Sequence, residues 1–241
     1  MIDILGLSLR QLISRWRLLI MAFLAVLPVG LSAIMSALAS DEPQYIKDFT
    51  DVIIDALIVS VLLPLVTMVL ATMSFRHELD DRTLSYLALK PIPRIKIALP
   101  KILASVIAGG LLVISSGVIS TLIGPESTMN SIIAVGVALL LGVITYTAIF
   151  VWAGLVSSHA LGFALIYVFL WEAIVTSFLE GARYLSVRGY VLAIANGIDG
   201  ERFESIDHRV IEFPAALILC ISISVLFFWL TVRRLNRMDI P

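Results

Sequence analysis

Six stretches of this 241-residue chain are apolar and long enough to cross a lipid bilayer, and nothing constrains its fold more. They cover residues 18–38, 52–75, 97–123, 132–156, 161–179 and 211–232. A bilayer core takes roughly 20 apolar residues in helical form. It holds no water to satisfy backbone N–H and C=O groups, so helices, which bond internally, are the default. The alternation of a membrane-barrel strand is absent. Composition points the same way: 60% of residues are hydrophobic and 15% charged, against roughly 45–50% and 25% in a soluble domain. The expected fold is an all-α membrane protein, one transmembrane domain of six spans over residues 1–241.

Charge distribution sets the expected orientation, because Lys and Arg accumulate on the cytoplasmic side. With the N-terminus inside, the inner segments hold twelve of the seventeen basic residues, among them Arg10, Arg15, Arg17, Arg94, Lys96, Lys101 and Arg237. The outer segments hold Lys47, Arg183, Arg188, Arg202 and Arg209, and they also carry the acids Asp41, Glu42, Asp48, Asp51, Asp199, Glu201, Glu204 and Asp207. Both termini are therefore expected in the cytoplasm. The parity depends on the short turn Ser157-Ser158-His159, an αα-hairpin without Lys or Arg. Residues 3–15 place Ile4, Leu5, Leu9, Leu12 and Ile13 on one helical side and Arg10, Gln11 and Arg15 on the other, which fits an interfacial amphipathic helix. Charges spread through residues 1–17, and an apolar run long enough to span, argue against a cleavable signal. The outer segment 180–209 is too apolar for a free loop and is expected to lie partly on or in the outer leaflet.

Several chemistries lack their residues. The single cysteine, Cys220, permits no internal disulfide and no cysteine-built metal site. His77, His159 and His208 are not placed to share a metal. The net charge of -1 gives no basic balance for nucleic acid. No Gly-rich phosphate loop is present, and no His lies deep in a span to serve intramembrane catalysis. Pro28 and Pro64 fall inside spans and are expected to kink them. Gly109, Gly110, Gly117, Gly136, Gly142 and Gly154 suit close helix packing.

Residues 76–101 form the longest cytoplasmic connection. Asp80 or Asp81 can cap a short helix whose apolar face would carry Leu84, Tyr86, Leu87 and Leu89, with Pro91 and Pro93 ending it. Arg94, Lys96 and Lys101 are then expected at the lipid headgroups. A short stiff helix held between two spans can dock in a groove on a cytoplasmic partner.

This segment resembles the region between the second and third spans of ABC-2-type permeases, the membrane subunits of ABC exporters. The resemblance rests on Glu78, Thr83-Leu84, Leu87, Leu89, Pro91, Pro93-Arg94 and Lys101. Arg82 departs where glycine is usual, and Pro93 and Pro100 stand where Ser and Gly are common. The six-span layout, the amphipathic start and the long outer segment before the last span are also similar. The resemblance implies a permease that pairs with a second copy, as a homodimer or heterodimer, and binds separate ATPase subunits that carry ATP and Mg. It implies that the short helix within residues 76–101 is the coupling helix, with Glu78, Asp81, Arg82, Thr83, Leu84, Leu87, Pro91 and Arg94 at the ATPase contact. This chain would then hold no cofactor and no catalytic residue of its own. A self-contained secondary transporter or an intramembrane enzyme is the alternative reading.

Glu172 lies midway along span five. A carboxylate there is costly unless paired, protonated or facing a cavity. Two readings stand: a contact on the substrate pathway, or a structural hydrogen bond to a neighbour such as Ser115, Ser116 or Thr145.

Overall fold

The computed structural model describes residues 2–12, 15–38, 43–75, 93–124, 127–157, 159–175, 184–200, 202–203 and 211–237. Every regular element among them is helical: α1 Ile2–Leu12, α2 Arg15–Leu38, α3 Pro43–Val52, a π-helical stretch Ile53–Leu62, α4 Leu63–Met73, α5 Ile95–Ile123, α6 Met129–Val156, α7 Ala160–Ile166, a second π-helical stretch Tyr167–Val175, α8 Val187–Ile198 and α9 Phe213–Arg237. Five of the helical runs are long and apolar enough to cross a membrane: Leu19–Leu38, Tyr45–Met73, Ile95–Ile123, Met129–Val156 and Phe213–Arg237. The fifth expected span corresponds to a shorter apolar helix, Ala160–Glu172.

The bundle is organised around α6, which packs against α4, α5, α8 and α9. It is apolar all round, as a membrane-spanning helix should be, and it still exposes Ile133, Val137 and Leu140 on one side. Ala138, Leu139, Val143, Phe150 and Val151 on it are all buried. By contrast, α2 exposes Trp16, Leu19, Ile20 and Phe23, and α9 exposes Ile218, Val225 and Trp229. Those apolar faces fit a lipid solvent rather than water.

Local sequence explains the interruptions. Pro64 has no N–H to give to the turn before it, and the wide π-helical turns end at Leu62, just ahead of it. Inside that stretch, the Ser60 hydroxyl donates to the Asp55 carbonyl five residues back, at 2.7 Å. Pro28 lies inside α2. One turn earlier, the Ala25 carbonyl accepts the Ser116 hydroxyl of α5 at 2.7 Å, a bond that ties the first span to the third.

The expected interfacial helix at residues 3–15 is a separate helix, Ile2–Leu12, packed along α5 with Ser8 and Leu12 buried. Arg15 already belongs to α2. The second span starts earlier than residue 52, since helix runs from Pro43. The larger difference concerns the outer segment. Its helix α8 is packed between α6 and α9 with Val187, Tyr190, Val191 and Ile194 buried, so protein rather than lipid covers that face. Val187, Tyr190, Val191 and Ile194 are core residues, whereas Tyr184 and Leu185 just ahead of them are exposed.

Gly154 marks a close helix crossing against backbone. A Cβ there would lie 2.8 Å from the Thr72 carbonyl oxygen and 3.1 Å from its Cα, both backbone atoms that cannot swing away. Gly154→Ala is expected to destabilise by about 1–3 kcal/mol, as overpacking does, despite the better helix propensity of alanine. Gly162 on α7 has open space around it, so Gly162→Ala should be neutral or favourable by up to about 1 kcal/mol. Unfolding of the two variants in mixed detergent micelles compares them directly, and equal stability would refute the crossing.

Candidate functional site

Glu172 is 3% exposed, in the second π-helical stretch, and its carboxylate gathers donors from three elements. The Tyr146 hydroxyl of α6 donates to Oε2. On the other oxygen, Oε1 accepts the Tyr167 hydroxyl at 3.3 Å and the Val187 backbone N–H at 2.9 Å. Val187 opens α8, whose Ser186 cap accepts the Gly189 N–H at 3.1 Å. The carboxylate thus meets the positive end of α8, where unsatisfied N–H groups and the helix dipole favour an anion. Aromatic packing holds the two tyrosines: Phe150 stacks on Tyr146 at 5.6 Å between ring centroids and meets Tyr167 edge-on at 6.4 Å.

The neighbouring residue extends this network to the second span. Arg188 forks onto Asp55 of the first π-helical stretch, with Nη2 at 2.8 Å from both carboxylate oxygens and Nε at 3.1 Å from Oδ1. One turn nearer the N-terminus, Asp51 pairs with Arg202 at 2.5 Å, and these two side chains are almost wholly buried. Backbone N–H of Arg202 also donates to Asp199 Oδ1 at 3.3 Å. Two acids on one helical run therefore bind two arginines, one in the first turn of α8 and one just past its end. Together with Glu172, they fasten α8 to the helical run of Asp51 and Asp55, to α6 and to the second π-helical stretch.

The serines and threonine expected near Glu172 are engaged elsewhere. Ser115 donates to the Leu112 carbonyl at 3.1 Å, Ser116 to Ala25, and Thr145 to the Leu141 carbonyl at 2.8 Å. Two tyrosines and a helix N-terminus take the place foreseen for them. Asp55, Arg188 and the tyrosines were not foreseen as site residues. Asp55 left a signal, a carboxylate just inside an apolar run, but its partner lies 133 residues away in sequence.

At the other end of the bundle, Lys101 is buried instead of reaching the headgroups. Its Nζ donates to the Ser74 carbonyl at 2.6 Å and lies 4.7 Å from the Phe75 ring centroid. Arg94 is half-buried in the turn before α5 and Lys96 is exposed, so these two are free to reach an interface. Glu78, Asp81, Arg82, Thr83, Leu84, Leu87 and Pro91 lie outside the described residues. Among the described residues, no cluster of His, Cys, Asp and Glu could hold a metal.

A family model described as ABC-2 family transporter protein matches residues 13–181. No curated protein matches the chain.

Proposed function

The chain belongs to the ABC-2 family of transporter proteins, and from that premise we propose that it is the membrane permease subunit of an ATP-driven ABC exporter. It works as a dimer, with a second copy or a related permease, and lines the substrate path between the two. ATP and Mg bind to separate ATPase subunits, and this chain carries no catalytic residue. Six spans cross the cell membrane, with both termini in the cytoplasm and residues 180–209 outside.

The carrying observation is the extent of the family match, which takes in the first five expected spans and the whole 76–101 connection. The bias of Lys and Arg toward the expected inner segments supports the orientation. We propose that the connection is the coupling helix and that Glu78, Asp81, Arg82, Thr83, Leu84, Leu87, Pro91 and Arg94 form the ATPase contact. Glu172 faces protein donors in the conformation described. A pathway role for it is proposed only for a state in which α8 has moved off the carboxylate.

Affinity purification from native membranes tests the partnership. Wild-type permease should bring with it an ATPase that hydrolyses MgATP. Leu87→Asp, which puts a charge on the docking face, should lose most of that activity while reaching the membrane at wild-type level. Undiminished ATPase in the Leu87→Asp preparation would remove the connection from the contact.

A further inference from the structure

Lys101 occupies the second turn of α5, is 2% exposed, and reaches back across the bundle to Ser74, the residue that ends α4. Burying an ammonium is unfavourable unless strong partners replace its water. Its partners include the Ser74 carbonyl at 2.6 Å, at the negative end of a helix dipole, and the face of the Phe75 ring. Arg94 and Lys96 already supply cations for the membrane surface, so a headgroup role does not require a third one turned inward.

Position gives the contact its meaning. Ser74 and Phe75 precede the 76–92 connection, and Lys101 follows it. The lysine therefore ties together the two membrane ends of one connection. Beside it, Gly154 brings the α6 backbone against Thr72, so the last turn of α4 is held from two sides. A free last turn would absorb a displacement of the connection by bending. A last turn clamped to α5 and α6 passes the displacement on.

We infer that Lys101 is a positioning residue for energy coupling: it locks the exit of α4 to α5, so that a push on the 76–92 connection moves α4, α5 and α6 as one unit. The inference rests on the permease reading and adds to it a transmitting residue that touches neither ATPase nor substrate.

The test uses the permease purified with its ATPase, in a Cys220→Ser background with a reporter cysteine at Leu185, which is exposed in the outer segment. Labelling by an impermeant maleimide is timed with and without MgATP and vanadate. In the otherwise wild-type complex, nucleotide should change the labelling rate. Lys101→Met, nearly the same shape without the charge, should lose that change while still binding ATPase and hydrolysing ATP. Lys101→Arg, which keeps a cationic donor, should restore it. A merely structural lysine would affect yield and stability but leave the surviving complex responsive. If Lys101→Met does not reach the membrane folded, Phe75→Leu carries the test. It keeps the carbonyl contact, removes the ring, and should shrink the response.

A normal response in Lys101→Met would overturn the inference. So would loss of ATPase binding in that variant, because the lysine would then serve docking rather than transmission. Absence of any ATPase from the wild-type preparation would sink the permease reading and the clamp's role with it. That failure is recognisable because it precedes any substitution.

Discussion

Asp51→Leu is expected to destabilise the folded protein by about 3–5 kcal/mol, the penalty typical of removing one partner from a buried ion pair. The side chains of Asp51 and Arg202 are only 3% and 4% exposed. Nε and Nη2 of Arg202 are buried and have no hydrogen-bond partner among the described residues. Without the Asp51 carboxylate, the guanidinium would stay buried with its compensating charge gone. The double variant Asp51→Leu/Arg202→Met should recover most of the loss, because two apolar chains of similar length avoid both desolvation penalties. The Asp55–Arg188 pair provides the contrast. Its side chains are 26% and 27% exposed, so Asp55→Asn should cost about 1 kcal/mol or less and lose that effect in high salt. Unfolding in mixed detergent micelles at two salt concentrations reads all three variants. A single Asp51 variant as stable as wild type would refute the buried pair.

Glu172→Leu should be nearly as damaging. It strands the Tyr146 hydroxyl and the Val187 N–H, two buried donors worth about 1–3 kcal/mol each when left unsatisfied. Glu172→Gln keeps an acceptor oxygen for Val187, and its amide can donate to the Tyr146 hydroxyl, which also accepts. It should therefore fold at near wild-type yield. A cycle with Tyr146→Phe should give a coupling of about 0.5–3 kcal/mol if the pair is real. Activity separates the two roles of the carboxylate. If Gln folds normally but lowers substrate-stimulated ATPase activity, the charge acts on the pathway. If Gln is silent and Leu unfolds the complex, the residue is a hydrogen-bonding hub for α8. A Leu variant that is fully active and more stable would end both ideas.

Five of the six expected spans were legible in the sequence because bilayer thickness imposes a length and an apolarity on each helix separately. A reader of Met129–Val156 needs no other part of the chain to see a membrane helix there. The connection at 76–101 was likewise legible as a motif, since its residues are contiguous. Pro64 announced an interruption, and the π-helical turns ahead of it are the form that interruption takes. What could not be read is how the polar residues pair. Asp51 finds Arg202 and Asp55 finds Arg188 across more than a hundred residues each, and Glu172 finds the start of a helix fifteen residues on. Read in one dimension, charge put Lys101 at the headgroups and apolarity put the outer segment partly at the outer leaflet. In the tertiary structure, a helix terminus and an aromatic ring bury the first, and packing between α6 and α9 buries the second. Hydrophobicity is a property of each segment and survives in the sequence. The partner that makes a buried charge tolerable is a property of the packed chain.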